Sequence, residues 1–156
     1  MFNDVRRQDR MLSEQETADV LMNGGYGVLS MVGTNDYGYG VPLSYVYRDN
    51  SIYVHCALEG QKLAFLQNNN KVSFCIVTEA SPLPDAFSMK YKSVIAFGKA
   101  VDVTGEEKMT ALVALIEKYA SSDDYIVKGK EYAAQSFDKT AVLRLDIEHV
   151  TGKARR

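Results

Sequence analysis

The sequence lacks several features that define common classes of protein. Its 156 residues include no tryptophan, three prolines and two cysteines, and two cysteines are too few for a disulfide framework. No apolar run approaches the roughly 18 residues of a membrane-spanning helix. The polar start MFNDVRRQDRMLSEQE also has no apolar signal-peptide core. We therefore expect a cytoplasmic protein that does not bind membranes.

An excess of basic charge is also missing. The formal net charge is −2, whereas a surface that binds nucleic acid needs a basic face. The short basic segments VRRQDR and GKARR are interpreted as solvated or intersubunit charge. We expect no nucleic-acid partner. With 46% hydrophobic residues the chain can form a core, and its length fits one domain, residues 1–156.

Common catalytic and metal-binding motifs are absent as well. The sequence contains no P-loop, no GxGxxG, no GxSxG and no CxxC spacing. His55 and Cys56 are neighbours in a predicted strand, so their side chains face opposite sides and do not readily share one metal ion. We expect no metal site, and we interpret Cys56 and Cys75 as small core residues.

The pattern of apolar and turn residues predicts a mainly β protein with α-helices, namely a six-stranded antiparallel barrel with peripheral helices. The first three strands are expected to form a meander, residues 81–87 a loop, and Gly98 a bulge. Ser13 with Glu16, and Thr104 with Glu107, predict capping boxes. The predicted strands are 26–33, 39–48, 51–57, 71–80, 90–104 and 140–154, and the predicted helices are 14–23, 60–69, 106–120 and 124–135.

The segment SIYVHCALEGQKLAFLQNN (51–69) runs from a strand directly into a helix. Alternation places Ile52 and Val54 towards the core and His55 on the outer or rim face. A helix that begins at Gly60 has free N–H groups suited to phosphate, and a bound anion would make Lys62 favourable in its first turn. A turn glycine and a surface lysine remain the alternative interpretation of the same residues.

Pro42 interrupts the second predicted strand. Proline cannot donate to a strand ladder and is confined to edges and bulges. The backbone groups of Leu43, Ser44 and Tyr45 could therefore face a flat heteroaromatic ligand instead of a neighbouring strand.

Four motifs occur together in a specific order: RRQDR, VPLSYVY with SIYVHCALEGQKLAFLQNNNKVSFCIV, YKSVIAFGKA, and VTGKARR. In this order the chain resembles the pyridoxamine-phosphate-oxidase-like FMN-binding split barrels, and within them the nitroimidazole-resistance branch. The resemblance implies a homodimer that holds two FMN molecules at the subunit interface. The family's oxidases proper carry a C-terminal Trp and Arg for the substrate phosphate; this chain has no Trp, so pyridoxamine-phosphate oxidation is not expected.

The resemblance also implies the site residues. The flavin ring is implied to be lined, largely through the backbone, by Val41, Pro42, Leu43, Ser44 and Tyr45. The flavin is implied to be bordered by His55, Cys56 and Ala57, with its phosphate held at Gly60, Gln61 and Lys62. A further strand, Lys92, Ser93 and Val94, is implied to approach from the other subunit. His55 is the implied catalytic residue, and Gln61 stands where the oxidases often have Arg.

Two functions remain open from the sequence. The first is an FMN-dependent reductase of small electron-poor acceptors such as nitro-heterocycles, with NADH or NADPH as candidate donor. The flavin would carry the redox chemistry, so the missing catalytic dyad is no objection. The second is a non-catalytic flavin-binding module, either a redox sensor or a flavin store. A deazaflavin-binding protein would need a more basic channel than this sequence provides.

Overall fold

A computed structural model describes residues 2–3 and 5–156 of the chain. Within this part the chain forms four α-helices and seven β-strands. The helices are α1 Glu14–Asn23, α2 Gln61–Asn68, α3 Gly105–Tyr119 and α4 Asp123–Ser136. The strands are β1 Gly27–Val32, β2 Gly38–Leu43, β3 Val46–Arg48, β4 Ser51–Ala57, β5 Lys71–Leu83, β6 Ser88–Val103 and β7 Thr140–Arg155. No helix of the described residues has the length and apolarity needed to cross a bilayer.

All strands belong to one sheet in the order β2-β1-β5-β6-β7-β4-β3, and every pairing is antiparallel. The two end strands, β2 and β3, are joined by Ser44 and Tyr45 alone, so the sheet must curl until its edges lie close together. This confirms the antiparallel split barrel. The strand count is seven instead of six because the predicted strand 39–48 breaks where the chain leaves β1 and joins β4.

The predicted meander of the first three strands is confirmed in its two antiparallel pairings, but its middle strand is divided between them. β1 and β2 form one hairpin, β3 and β4 form another, and the two hairpins lie at opposite ends of the strand order. β4 pairs with the distant strand β7, from Ser51 opposite Asp146 to Ala57 opposite Thr140. Closeness in sequence therefore accounts for the two hairpins, but it does not predict that β4 pairs with β7.

The predicted loop at residues 81–87 is mostly strand. β5 continues to Leu83, and only Pro84–Ala86, in a 3-10 turn, and Phe87 connect it to β6. Pro82 is tolerated because β5 has β6 as its one strand neighbour at this point, so a missing N–H breaks no second ladder. The bulge predicted at Gly98 is confirmed by the register shift between Phe97 and Gly98.

The core follows the alternation of the strands. Its fully buried side chains include Leu29, Tyr45, Ile52, Phe74, Ile76 and Val94. A smaller cluster under α3 and α4 contains Val103, Leu112, Ala133 and Val142. Cys56 packs against the main core as predicted. The prediction for Cys75 is wrong, because its neighbours Phe74 and Ile76 face inwards and Cys75 therefore lies half-buried on the outer face.

The helix ends match one of the two predicted capping boxes. Ser13 and Glu16 form the box at the start of α1 through both reciprocal hydrogen bonds. Thr104 makes no such cap, so the second box is wrong. The Glu107 carboxylate instead accepts hydrogen bonds from Arg144, at 2.7 Å, and from the Tyr53 hydroxyl, at 3.0 Å. These stronger partners on β4 and β7 compete with the local cap.

Candidate functional site

The split in the barrel lies between the end of β2 and the end of β4. β3 pairs with β4 from Arg48 opposite Ser51 to Val46 opposite Tyr53, and there the pairing stops. Continuing that register would place Ser44 opposite His55, but β2 has turned away to pair with β1. Residues 41–44 and 55–57 therefore form the two lips of the split, and each lip has a free strand edge.

His55 is exposed and lies on the face of β4 opposite Ile52 and Val54, as predicted. Lys62 lies close enough to act electrostatically on both His55 and Cys56. Partial burial, and next the Lys62 ammonium, lower the pKa of His55 below 6.5, so this imidazole is mainly neutral at pH 7. Burial raises the pKa of the Cys56 thiol and outweighs the opposing effect of Lys62, which keeps Cys56 protonated.

The start of α2 is open for an anion. Gly60 precedes the helix with φ 138° and ψ 170°, a conformation that is essentially restricted to glycine. No side chain of the described residues caps this helix, and its first turn contains no acidic residue. The N–H groups of Gln61, Lys62 and Leu63 therefore point from the helix end without a side-chain acceptor. Together with the Lys62 ammonium they offer the donors that a phosphate needs.

The structure leaves Tyr45 little freedom to line a ligand. Its ring is fully buried, and its hydroxyl donates to the carbonyl of Leu21 at 2.7 Å. Its backbone N–H donates to the Tyr119 hydroxyl at 3.0 Å, and that hydroxyl donates to the Gly25 carbonyl, 2.8 Å away. These contacts fix the connector between β2 and β3. The ring and the backbone N–H of Tyr45 are therefore engaged within the chain, and its contact with a flavin stays a prediction.

In the rest of the first lip, side chains alternate between the core and solvent. Val41 and Leu43 pack their side chains against the core, whereas Pro42 and Ser44 are exposed. Because β2 is an end strand, the backbone edge of residues 41–43 that faces away from β1 meets no other strand. A flat ligand at this lip would meet that edge and the side chains of Pro42 and Ser44.

Lys92, Ser93 and Val94 lie apart from the split within one chain. Eleven residues of β7 separate Val142, opposite His55, from Ala154, opposite Lys92. In the other direction, β1 and β5 lie between β2 and β6. Val94 is fully buried, and Lys92 lines a cleft beside α1 and pairs with Glu79 at 3.6 Å. Val94 therefore cannot contact a ligand through its side chain, and Ser93 is the outward-facing member of the three.

An apolar patch continues outwards from the first lip. Val28 lies opposite Pro42 and Cys75, Cys75 lies opposite Ile95, and Val77 lies opposite Ser93. Directly opposite residues of an antiparallel sheet share a face, and here that face is the one away from the core. Val77 and Ile95 are 48% and 37% exposed. We call these five residues, Val28, Pro42, Cys75, Val77 and Ile95, the outer apolar face.

Sequence reasoning missed two residues behind the split. Tyr119 lies near the end of the predicted helix 106–120, and nothing in its spacing indicates that its hydroxyl binds the β2–β3 connector. The Lys118 ammonium lies 3.6 Å from the centre of the Tyr45 ring and has no hydrogen-bond partner among the described residues. Burial lowers the pKa of Lys118 to about 8. Among the described residues, no three His, Cys, Asp or Glu side chains are grouped closely enough to hold a metal.

Comparison with known proteins adds a family to this geometry. The family model described as pyridoxamine 5'-phosphate oxidase matches residues 13–154, which include all of β1 to β6, both lips and the start of α2. No curated protein matches the sequence.

Several solved structures share the fold. A conserved hypothetical protein from Mycobacterium tuberculosis superposes with a TM-score of 0.80 at 22% identity, covering 98% of this chain and 91% of that one. A candidate 5-nitroimidazole antibiotic resistance protein from Bacteroides thetaiotaomicron gives 0.75 at 21% identity, covering 92% and 85%. An FAD-binding protein from Mesorhizobium loti gives 0.66 at 21% identity, covering 94% and 98%. At these identities the similarity establishes the fold alone.

Proposed function

Because this chain belongs to the pyridoxamine 5'-phosphate oxidase family, we propose that it is an FMN-binding oxidoreductase that reduces small electron-poor acceptors, nitroimidazoles among them. The observation that carries the proposal is the open start of α2 beside the split. Gly60, the free N–H groups after it and Lys62 provide a phosphate site, and the two lips next to it provide strand edges for a flat ring.

The residues present fit a flavin mononucleotide. Its phosphate would meet the start of α2 and the Lys62 ammonium, a charge-assisted contact. Its ring would meet the free edge of residues 41–43 and the exposed side chains of Pro42 and Ser44, with His55 and Ala57 on the other lip. When bound, a flavin supplies hydride and electron transfer, so the protein itself needs to bind, orient and exclude water.

His55 has two possible tasks at this lip. A neutral imidazole at pH 7 can hydrogen-bond to an acceptor and orient it. A protonated imidazole can donate a proton, and the lowered pKa makes that form scarce at neutral pH. We infer a small electron-poor acceptor because the lip is open and partly apolar. The Bacteroides thetaiotaomicron structure, which has a similar fold, is described as a candidate 5-nitroimidazole antibiotic resistance protein.

The proposal includes a homodimer. The outer apolar face begins at Pro42 on the first lip and continues to Ile95, beside Ser93. Covering this face with a second copy removes apolar surface from water. It would also bring the partner's copy of the Ser93 strand towards the flavin, which one chain does not do by itself.

A non-catalytic flavin sensor or store is the second candidate. It is favoured by the scarcity of protonated His55 near pH 7 and by the composition of the lips, since residues 41–44 and 55–57 include no carboxyl group and no second imidazole. FAD is the alternative ligand, because the Mesorhizobium loti structure is described as binding it. The adenylate of FAD would have to extend beyond the start of α2.

The test begins with the absorbance spectrum of the purified protein and the mass of any ligand released on denaturation. The expected ligand is FMN. Reduction by NADH or NADPH is then followed, with reoxidation by nitroimidazoles and by other small acceptors. Release of FAD corrects the cofactor, reduction without turnover on any acceptor favours the sensor or store, and a protein that binds no flavin refutes the proposal.

A further inference from the structure

β5 and β6 extend beyond the rest of the sheet as a two-stranded ribbon. β5 last pairs with β1 at Ile76, and β6 first pairs with β7 at Tyr91. From Glu79 opposite Lys92 to Leu83 opposite Ser88, the two strands pair with each other, and among the described residues only Tyr91 and Lys92 have a third strand beside them. We call residues 79–92 the distal ribbon. A two-stranded ribbon is marginally stable in water without a surface to pack on.

The tip of the distal ribbon presents an aromatic ring to solvent. Phe87 is 98% exposed, and Met89 beside it is 46% exposed. Phe87 has φ 45°, the left-handed region that bulky residues rarely occupy. Pro84 begins the short 3-10 turn before it and restricts the backbone. Together with Met89, this restricted side chain gives the ribbon an apolar tip that is free to contact another molecule.

The base of the distal ribbon is fixed in direction by polar contacts. The Glu79 carboxylate pairs with Lys90 at 3.3 Å and with Lys92 at 3.6 Å, across the two strands. Arg155, at the end of β7, donates to the Ser88 hydroxyl near the tip. The ribbon therefore projects as a braced element and can reach a neighbour in a defined position.

We propose that the tip of the distal ribbon covers the flavin-binding split of a second copy of this chain, where Phe87 packs against the bound ring or its acceptor and sets acceptor preference. This inference rests on the proposed function. The ribbon continues directly from the outer apolar face, because Val77 and Ser93 lie just before its base. Six residues from Ser93 to Phe87 extend it by about 20 Å, so the tip projects well beyond the outer apolar face.

The chemistry of the tip suits this occupant. A flavin ring and a nitro-heterocycle are flat and electron-poor, and an aromatic side chain packs against such rings by stacking or edge contacts. The lips themselves offer backbone edges, Pro42, Ser44 and the small ring of His55, but no Phe, Tyr or Trp side chain that is free to stack, because the Tyr45 ring is buried in the core. The partner's Phe87 would supply the missing cover.

The first test uses the absence of tryptophan. Phe87→Trp introduces a sole tryptophan at the tip, and its emission is measured while FMN is added to the apoprotein. Energy transfer to a flavin under the tip should remove most of the emission at one FMN per chain. The matched control is Tyr132→Trp on α4, an aromatic position that is 71% exposed and should lose a smaller share of its emission than the tip.

A mixed dimer distinguishes a tip that covers the partner's split from a tip that covers the split of its own chain. Phe87→Trp, Lys62→Ala chains are mixed with excess wild-type chains, at an FMN concentration that fills only wild-type sites. Quenching in the mixture places the tip on the partner's flavin, as proposed. The opposite result is a mixture that binds FMN but is not quenched, although Phe87→Trp homodimers are. That result would place the tip on the flavin of its own chain and overturn the inference.

Turnover supplies an independent readout. Phe87→Ala should raise the KM for a nitroimidazole by about two- to tenfold, the loss expected for one aromatic contact, while the FMN affinity changes little. Phe87→Tyr should restore the wild-type KM. Unchanged kinetics in Phe87→Ala, or equal quenching of the two tryptophan variants, overturns the inference and leaves the proposed function standing. Failure of every variant and of wild type to bind flavin overturns both.

Discussion

His55 is the residue whose chemistry the structure constrains most closely at the split. Its side chain lies on the outer face of β4, away from Ile52 and Val54, and Lys62 stands beside it. Removing the ring should therefore leave the core intact. Because its pKa is lowered, His55 is mainly neutral around pH 7 and can orient an acceptor by a hydrogen bond. The protonated form, which can donate a proton, becomes more abundant as the pH falls.

We predict that His55→Ala retains flavin and loses turnover or changes acceptor preference. If protonated His55 donates a proton, wild-type turnover should rise as the pH falls below 6.5, and this acid limb should vanish in the variant. If His55 orients the acceptor, His55→Gln should recover part of the activity at pH 7. Steady-state kinetics over pH 5 to 8 measure both. A variant that purifies colourless and aggregated would show that His55 is structural.

Lys118 offers a test that is independent of the flavin. Its ammonium lies over the Tyr45 ring without a hydrogen-bond partner among the described residues. Attraction to the ring favours the charged form, but burial has the larger effect and lowers the pKa to about 8, against an ordinary value of 10.5. Between these two values the unfolded chain binds more protons than the folded one, so stability contributed by this group rises with pH.

We therefore predict that the free energy of unfolding of wild type increases, relative to Lys118→Met, as the pH rises from 8 to 10. Below pH 8 the penalty of the buried charge is fully present, and Lys118→Met should be the more stable protein. Urea unfolding at several pH values provides the measurement. A constant difference between the two proteins over this range would mean that Lys118 titrates normally in the folded state.

At the scale of elements, the entry into α2 depends on one backbone conformation. Gly60 adopts φ 138°, and nothing lies within 4 Å of the position where a Cβ would be. Substitution at Gly60 should therefore destabilise the protein through backbone strain and not through a steric clash. Strain of this type is of the order of 1–3 kcal/mol.

Gly60→Ala should accordingly lower the melting temperature and weaken FMN binding, because the first N–H groups of α2 would be re-aimed. Gly25→Ala is the matched control, since Gly25 is also exposed with open space around its Cβ position but has no positive φ. Thermal unfolding and flavin titration of both variants test the prediction. Equal behaviour of the two would show that the helix start tolerates another conformation.

The elements also show what the sequence can and cannot specify. The alternation in SIYVHCA predicted correctly which side chains of β4 face inwards, and Ser13 with Glu16 predicted the start of α1. Local pattern decides such features. The pairing of β4 with β7, the hold of Tyr119 on the β2–β3 connector and the length of the distal ribbon depend on contacts between residues far apart in the chain. No local pattern contains them.

At the scale of the whole molecule, the proposed flavin site needs two copies of the chain. A single chain exposes the outer apolar face and holds Lys92, Ser93 and Val94, the β6 residues of the proposed flavin site, apart from its own split. We predict that Ile95→Asp gives a monomer at micromolar concentration that binds FMN poorly, because a charge would be buried in the interface.

Val101→Asp is the matched control, because Val101 lies on the same strand and is also 37% exposed, but lies outside the outer apolar face. It should remain a dimer with flavin. Sedimentation equilibrium with and without FMN provides the measurement. Wild type that sediments as a monomer with flavin bound would contradict the interface and, with it, the partner role of the distal ribbon.

The central claim is that the Gly60 corner holds the phosphate of a flavin, and a pair of titrations tests it most directly. Apoprotein of wild type, Lys62→Ala and the control Lys71→Ala is titrated with FMN and with riboflavin, which lacks the phosphate. Loss of one charge-assisted contact should weaken FMN binding to Lys62→Ala by about ten- to a hundredfold and riboflavin far less, while Lys71→Ala matches wild type. An equal loss for both ligands, or no loss for either, would contradict the claim.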